Sequence, residues 1–444
     1  PLDDRHTTLA RELRKANYEP ALIGYATTTP DPRRTPLNDT AFLTYGTVGR
    51  DWKIIAELEE LDHQSWARWL HGRAPHLAGL TTQELWAPTL VCARPTNAPV
   101  RYAPHCSDGA WTSEHGIEYL DSMRGRSWFM HLGYFRPHPP FTAPAPYNAI
   151  VPQDMIPLAR RAAIPAQECQ GHIGATIFQQ IPLSFFVEGT TGDCGSLTEP
   201  EIAAVRQSYY GLIAETDAHI GRVLDALEES GDIDRTLIIF TSDHGEQLGD
   251  HNLFGKWGFY DESYHVPLIV ADPRPQADSS RGAVFTGLTQ SIDIFPTILE
   301  WLGREIPHTL DGCSLLAATR APDKATGSEA VHIEFSYRLG YPAPTLDILG
   351  LDWRCGDLAI LRTHDHKYVH FQGLPPVMFD LLRDPHEMEN LAGQSQHRAT
   401  ELMLAQRLLS WRMHHAERAL TRYVASPAGL LDLTTGSPAH NQSA

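Results

Sequence analysis

No run of this chain is long and apolar enough to cross a bilayer as a helix, and no C-x-x-C pair occurs among its six cysteines. The first absence excludes a helical membrane span. The second leaves Cys92, Cys106, Cys169, Cys194, Cys313 and Cys355 scattered. That spacing suits reduced thiols in a cytoplasmic protein better than a disulfide framework. Positive charge is scarce too. Lys and Arg number 36 against 54 Asp and Glu, a formal charge of −18. Such a field argues against nucleic acid or an anionic membrane as partner. It also requires that any anion site be built from local positive groups. There is no low-complexity tract and no repeat, and 444 residues suffice for a large core in two packed subdomains.

The stretch around which the rest is organised is Leu237-Ile238-Ile239-Phe240-Thr241-Ser242-Asp243-His244-Gly245-Glu246. Its first half is a short apolar run with β-branched residues, which predicts a strand buried on both faces in the middle of an α/β sheet. Its second half is polar and places Asp243 and His244 where that strand ends. Sites in open α/β sheets are built at this carboxyl edge. Carboxylate and imidazole are both ligands for a hard or borderline cation. Thirteen residues after Asp243 stands Lys256, in Phe254-Gly255-Lys256-Trp257-Gly258. A lysine beside a cation is a clamp for a phosphate or sulfate oxygen. Taken singly, these residues read as a turn device and a solvated lysine.

Taken as a string they read otherwise. Thr241-Ser242-Asp243-His244-Gly245-Glu246, then Leu248-Gly249-Asp250-His251, Lys256 and Tyr260 to Val270, resembles the sulfatase branch of the alkaline phosphatase superfamily. The fold this implies is α/β, a mixed sheet sandwiched by helices with a small C-terminal antiparallel-sheet subdomain. The expected organisation is a catalytic domain over residues 1–330, with an irregular insertion at about 37–120. A sheet-plus-helix subdomain over 331–422 and a tail over 423–444 follow. The Trp-, Pro- and His-rich insertion, with Trp52, Trp66, Trp69 and Trp86, is expected to run over the surface and shape the pocket wall or a subunit contact.

Along the chain, Pro1 to Ala10 read as a loop running into a helix that ends near Lys15 to Tyr18, and Pro20 to Tyr25 as a strand. In the family these elements follow the nucleophile, which lies in Cys-x-Pro-x-Arg or its serine form. None of the six cysteines, and no serine or threonine, fits that motif. The resemblance therefore begins after the nucleophile. The expectation is a chain lacking several tens of N-terminal residues and inactive as given.

Gly24-Tyr25-Ala26-Thr27 stands where ordinary sulfatases have Gly-Lys-x-His. Two groups that can carry charge are replaced by neutral hydrogen-bonding ones. With the Thr27-Thr28-Thr29-Pro30-Asp31-Pro32 run, this resembles the phosphonate monoester hydrolases, which also cleave phosphate diesters. A monoanionic ester needs less positive charge than a dianion. Trp128 to Leu132 is a further expected strand. It leads to Pro137-His138-Pro139-Pro140, where the family has a histidine facing the scissile group. Thr198 and Glu201 form a capping box that opens a long helix, with Gly231 as its C-cap. That helix is structural, including Asp217 and His219. A second amphipathic helix spans 291–303 and strands contain 359–362 and 367–371. A C-terminal helix covers 399–420.

The resemblance implies hydrolysis of phosphonate monoesters and phosphodiesters, with side activity on sulfate esters, through a formylglycine nucleophile. Asp243 and His244 would bind one divalent metal ion, Mn, Ca or Zn, with acidic ligands from outside this sequence. His138 and Lys256 would be catalytic and would bind the substrate together with Tyr25 and Thr27. The partner is a small anionic ester, and the family suggests a homotetramer whose tail reaches a neighbouring subunit. The alternatives are an arylsulfatase and an inactive scaffold.

Overall fold

The computed structural model describes residues 6–26, 32–33, 35–36, 38–39, 51–59, 63–161, 180–339, 350–416, 423–426, 429–432 and 437–438. Helix α1 (Leu9–Lys15) is capped by the Thr8 side chain and leads into β1 (Pro20–Gly24), every residue of which is buried. Strand β2 (Lys53–Glu57) pairs with β1 in parallel. Helices α2 (Gln64–Arg73), α3 (Thr82–Trp86) and α4 (Asp108–Ser122) follow. Strand β3 (Phe129–Gly133) pairs in parallel with the other edge of β1. The long helix α5 (Glu199–Glu229) opens on the expected Thr198–Glu201 capping box, and Gly231 follows it at φ 74°. Strand β4 (Ile238–Thr241), α6 (Asp261–Tyr264) and β5 (Leu268–Ala271) come next, with β4 and β5 antiparallel. Helices α7 (Ile294–Trp301) and α8 (Leu316–Arg320) precede the C-terminal sheet.

That sheet is a four-stranded antiparallel meander of β6 (Val331–Ser336), β7 (Asp357–Arg362), β8 (His366–Phe371) and β9 (Val377–Asp380). Its strands alternate as period two requires. Leu358, Ile360, Val369, Phe371, Val377 and Phe379 face a large cluster shared with Leu253, Phe254, Phe259 and Tyr260. Ala359, Leu361, Tyr368 and Met378 face Leu404 and Leu408 of α9 (Arg398–His415). The C-terminal unit is thus present where expected, with one sheet face buried in common with the segment that carries Lys256.

Three expectations need correction. Strand β4 is not buried on both faces. Ile238 and Ile239 are half-buried, Phe240 is 39% exposed, and only β5 pairs with it among the described residues. One face of Ile238 packs with Leu120, Val223 and Leu227. An apolar run reports affinity for a core, not how many neighbours arrive. Strand β3 is likewise half-buried.

Residues 63–120 are not an irregular surface insertion. Trp66 and Trp86 are buried in a cluster with Leu70, Leu85, Tyr102, Trp111 and Phe135. Aromatic residues bury large areas and so draw the segment inward. Ser107 at the head of α4 bonds His219 of α5 at 3.1 Å, which locks the segment to the long helix. Finally, the tail has local order. β10 (Tyr423–Ser426), β11 (Gly429–Asp432) and β12 (Ser437–Pro438) form a small antiparallel sheet. Cys92, Cys106, Cys194, Cys313 and Cys355 form no disulfide; Cys169 lies outside the described residues. No helix among the described residues is long and apolar enough to cross a membrane.

Candidate active site

Strand β4 ends at Thr241, and the next residues turn sharply. Ser242 Oγ donates to His244 O at 2.8 Å, and the His244 amide donates to Asp243 Oδ1 at 3.0 Å. The imidazole is fixed by its own neighbour: His244 Nδ1–H donates to Gly245 O at 2.8 Å. This leaves Nε2 as the lone-pair nitrogen. Lys256 Nζ donates to it at 2.8 Å, and Asp243 Oδ2 lies 3.5 Å away. Burial, followed by the Lys256 charge, lowers the pKa of His244. Its ring is therefore a neutral acceptor near pH 7.

These donors suit a divalent cation. Asp243 Oδ2 and His244 Nε2 stand close enough to share one ion, and the backbone bond at Nδ1 is the orientation that ligating histidines need. Among the described residues no group of three His, Cys, Asp or Glu side chains is placed to complete such a set.

His138 comes from the turn after β3. Its ring centroid is 6.5 Å from that of His244. His138 Nδ1 donates to Pro139 O at 3.0 Å, leaving Nε2 as the open nitrogen. Burial above all, with smaller contributions from Lys256, His244 and Arg136, drives its pKa down to about 4. The turn is held from beneath. Arg136 Nη1 donates to His138 O at 3.0 Å and to Pro140 O at 2.7 Å, and Arg136 Nε pairs with Asp108 at 3.1 Å. Both charged groups are buried. Breaking such a pair leaves an uncompensated charge inside, so the turn is strongly tied to α4.

Tyr25 follows β1, its amide donating to Gly133 O at 2.8 Å. Its ring packs edge-on against Phe135 at 5.3 Å, and Phe135 packs against His138 at 4.5 Å. One buried phenyl thus carries two of the candidate residues. Thr27 lies outside the described residues.

The structure therefore brings together Asp243, His244, Lys256 and His138, and joins Tyr25 to them through Phe135. Sequence reasoning had not singled out Phe135, Arg136, Asp108 or Glu246. Arg136 sits two residues before His138 and Glu246 two after His244, which was the only available signal. Glu246 accepts the Gly255 amide, and burial pushes its pKa up to about 7. Two open cavities of about 370 and 290 Å³ lie elsewhere, lined by residues such as Phe285 and His364 or Lys53 and Arg126, and none of the candidate residues lines them.

The Sulfatase family matches residues 1–304, and the N-sulphoglucosamine sulphohydrolase C-terminal family matches 249–414. The chain is 40% identical over 434 residues to the multifunctional alkaline phosphatase superfamily protein PehA of Trinickia caryophylli. That match covers 97% of this chain and 84% of the relative. The phosphonate monoester hydrolase of Agrobacterium radiobacter superposes with a TM-score of 0.88 at 34% identity, covering 97% of this chain and 85% of that one. The phosphonate monoester hydrolase of Silicibacter pomeroyi superposes with a TM-score of 0.86 at 33% identity, with the same coverages.

Proposed function

The chain belongs to the sulfatase family of the alkaline phosphatase superfamily, metal-dependent hydrolases of ester bonds, and within it we propose a phosphonate monoester hydrolase and phosphodiesterase. The observation that carries this reading is the convergence of Lys256, His244 and His138, with the neutral Tyr25 joined to them through Phe135. The Lys256 ammonium, with the neutral Tyr25 phenol joined to the site through Phe135, suits a monoanionic phosphorus ester. The similarity to two phosphonate monoester hydrolases supports the same choice.

Each residue has a derived task. Lys256 meets a non-bridging oxygen of the ester and neutralises charge that grows there in the transition state. His138, an acceptor at Nε2, holds a proton on the leaving oxygen once an anion in the site raises its pKa. Arg136 fixes the height of that imidazole through the His138 carbonyl. Tyr25 orients the substrate by a hydrogen bond without adding charge, and Thr27 does the same. A divalent cation (Mn, Ca or Zn) would be held by Asp243 and His244 and would stabilise negative charge on the transferred group. The attacking group in this reading is a formylglycine, as the family resemblance implies. The same reading makes the protein a cytoplasmic homotetramer with side activity on sulfate esters.

Hydrolysis of matched nitrophenyl esters by the full-length protein tests the proposal. kcat/KM is expected to be higher for the phosphonate monoester and the phosphodiester than for the sulfate. A sulfate ester in first place would make the protein an arylsulfatase, and no turnover of any ester would favour the scaffold.

A further inference from the structure

Between His244 and Lys256 the chain folds back on itself. Gln247 N–H donates to Gly255 O at 3.0 Å, and Gly249 N–H donates to Leu253 O at 2.7 Å. Leu248, Gly249, His251, Asn252 and Gly255 all have positive φ, so the loop is held in a form that free chains rarely adopt. Glu246 lies across its mouth. A single carboxylate oxygen, Oε1, accepts the amide of Leu248 at 3.2 Å and the amide of Gly255 at 2.6 Å. These amides come from opposite limbs of the loop. Gly255 is the residue before Lys256, and Glu246 is two residues after His244. At Gly255 φ is +85°, and a Cβ there would meet the Trp257 ring nitrogen at 2.5 Å. The amide that Glu246 receives is therefore delivered by a position where any side chain would be strained.

We infer that Glu246 is a positioning residue: its carboxylate ties the His244 limb to the Lys256 limb and so sets the spacing of the two functional side chains. It bonds backbone amides and needs no contact with substrate. One side-chain oxygen that accepts an amide from each limb fixes their register more tightly than the two loop bonds alone would. Its effect passes through Lys256, which makes the inference dependent on the role proposed above for that lysine. A merely structural glutamate would stabilise the fold without this dependence.

A double-mutant cycle in the full-length protein separates the cases. Glu246→Ala should lower kcat on a nitrophenyl phosphodiester by about 10²-fold, with KM little changed, as a displaced catalytic group does. Glu246→Gln keeps an acceptor oxygen in place and should stay within about tenfold of the wild type. With Lys256 already replaced by alanine, Glu246→Ala should cost less than about threefold more. An equal loss in both backgrounds, or wild-type kcat for Glu246→Ala, overturns the inference. If Lys256→Ala itself leaves kcat unchanged, the role of the lysine fails first and this inference with it. If Glu246→Ala does not fold, Glu246→Asp, which withdraws the carboxylate by one methylene, is put through the same cycle with the same outcomes.

Discussion

Lys256 Nζ and His244 Nε2 meet at 2.8 Å although they stand twelve positions apart in the sequence. The contact sets an ammonium against the nitrogen that a metal would take. It sets the Lys256 ammonium beside the candidate metal pair of Asp243 and His244, where it would meet an anionic ester. Lys256→Ala should therefore lower kcat/KM by about 10²–10³-fold, as deletion of a transition-state donor does. Lys256→Arg should recover only part of this, because a planar fork cannot replace a point charge in the same space. Steady-state kinetics on the full-length protein check both, and a loss below tenfold for alanine would remove Lys256 from the machinery.

Asp243 supplies the charge of the candidate metal pair. Asp243→Asn keeps its shape and removes that charge, so bound divalent metal should fall sharply in the purified protein. Metal content by mass spectrometry, compared with wild type, checks this without reference to activity. Equal content would show that Asp243 is not a ligand.

The opening of α5 carries a pH signature. Arg94 grips Glu201 through two bonds, at 2.5 and 2.8 Å, and the Thr198 amide and hydroxyl add two more. Bonding to Arg94 foremost lowers the Glu201 pKa from 4.5 to about 2. A depressed carboxylate pKa stabilises the fold above the unfolded value, and the contribution is lost as pH falls through the folded one. Glu201→Gln should therefore be less stable than wild type at neutral pH, and the gap should narrow from about pH 4.5 downward. Denaturant titrations across that range check it, and a gap independent of pH would contradict it.

Lys367 is fully buried in β8 and bonds Phe259 O at 2.9 Å, Asp261 at 2.5 Å and Glu387. It pins the C-terminal sheet to the segment just after Lys256. Lys367→Met leaves the buried Glu387 without its ammonium, while Asp261 keeps Arg362 at 3.4 Å, and the expected loss of stability is about 3 kcal/mol. Thermal unfolding checks this, with near wild-type stability as the contrary result.

Much of this was legible in the sequence, for reasons that particular residues make plain. Asp243, His244 and Lys256 fall in one continuous string, so the motif and the contact nearly coincide. The α5 capping box is a local rule with a local outcome. The expected strands at 359–362 and 367–371 fall within β7 and β8, because their apolar runs are short and local. Other features were not legible because they are through-space facts. Phe135 matters because Tyr25 and His138 both lean on it, and no spacing announces that. Trp66 and Trp86 looked like loop residues until their rings met in one cluster. The run before Asp243 signalled a core strand, but periodicity could not say that β4 would be covered on only part of its surface.

The central claim is that the site reads a monoanionic phosphorus ester because Tyr25 and Thr27 are neutral. The most direct measurement is the ratio of kcat/KM for a nitrophenyl phosphate monoester to that for the matching diester. It is taken in the full-length wild type and in the Tyr25→Lys, Thr27→His variant. A ratio within one enzyme cancels losses of stability and total activity. Added positive charge should favour the dianion, so the ratio should rise by about tenfold or more, each tenfold being about 1.4 kcal/mol of differential stabilisation. An unchanged ratio would place both residues outside the shell that reads charge and would contradict the account.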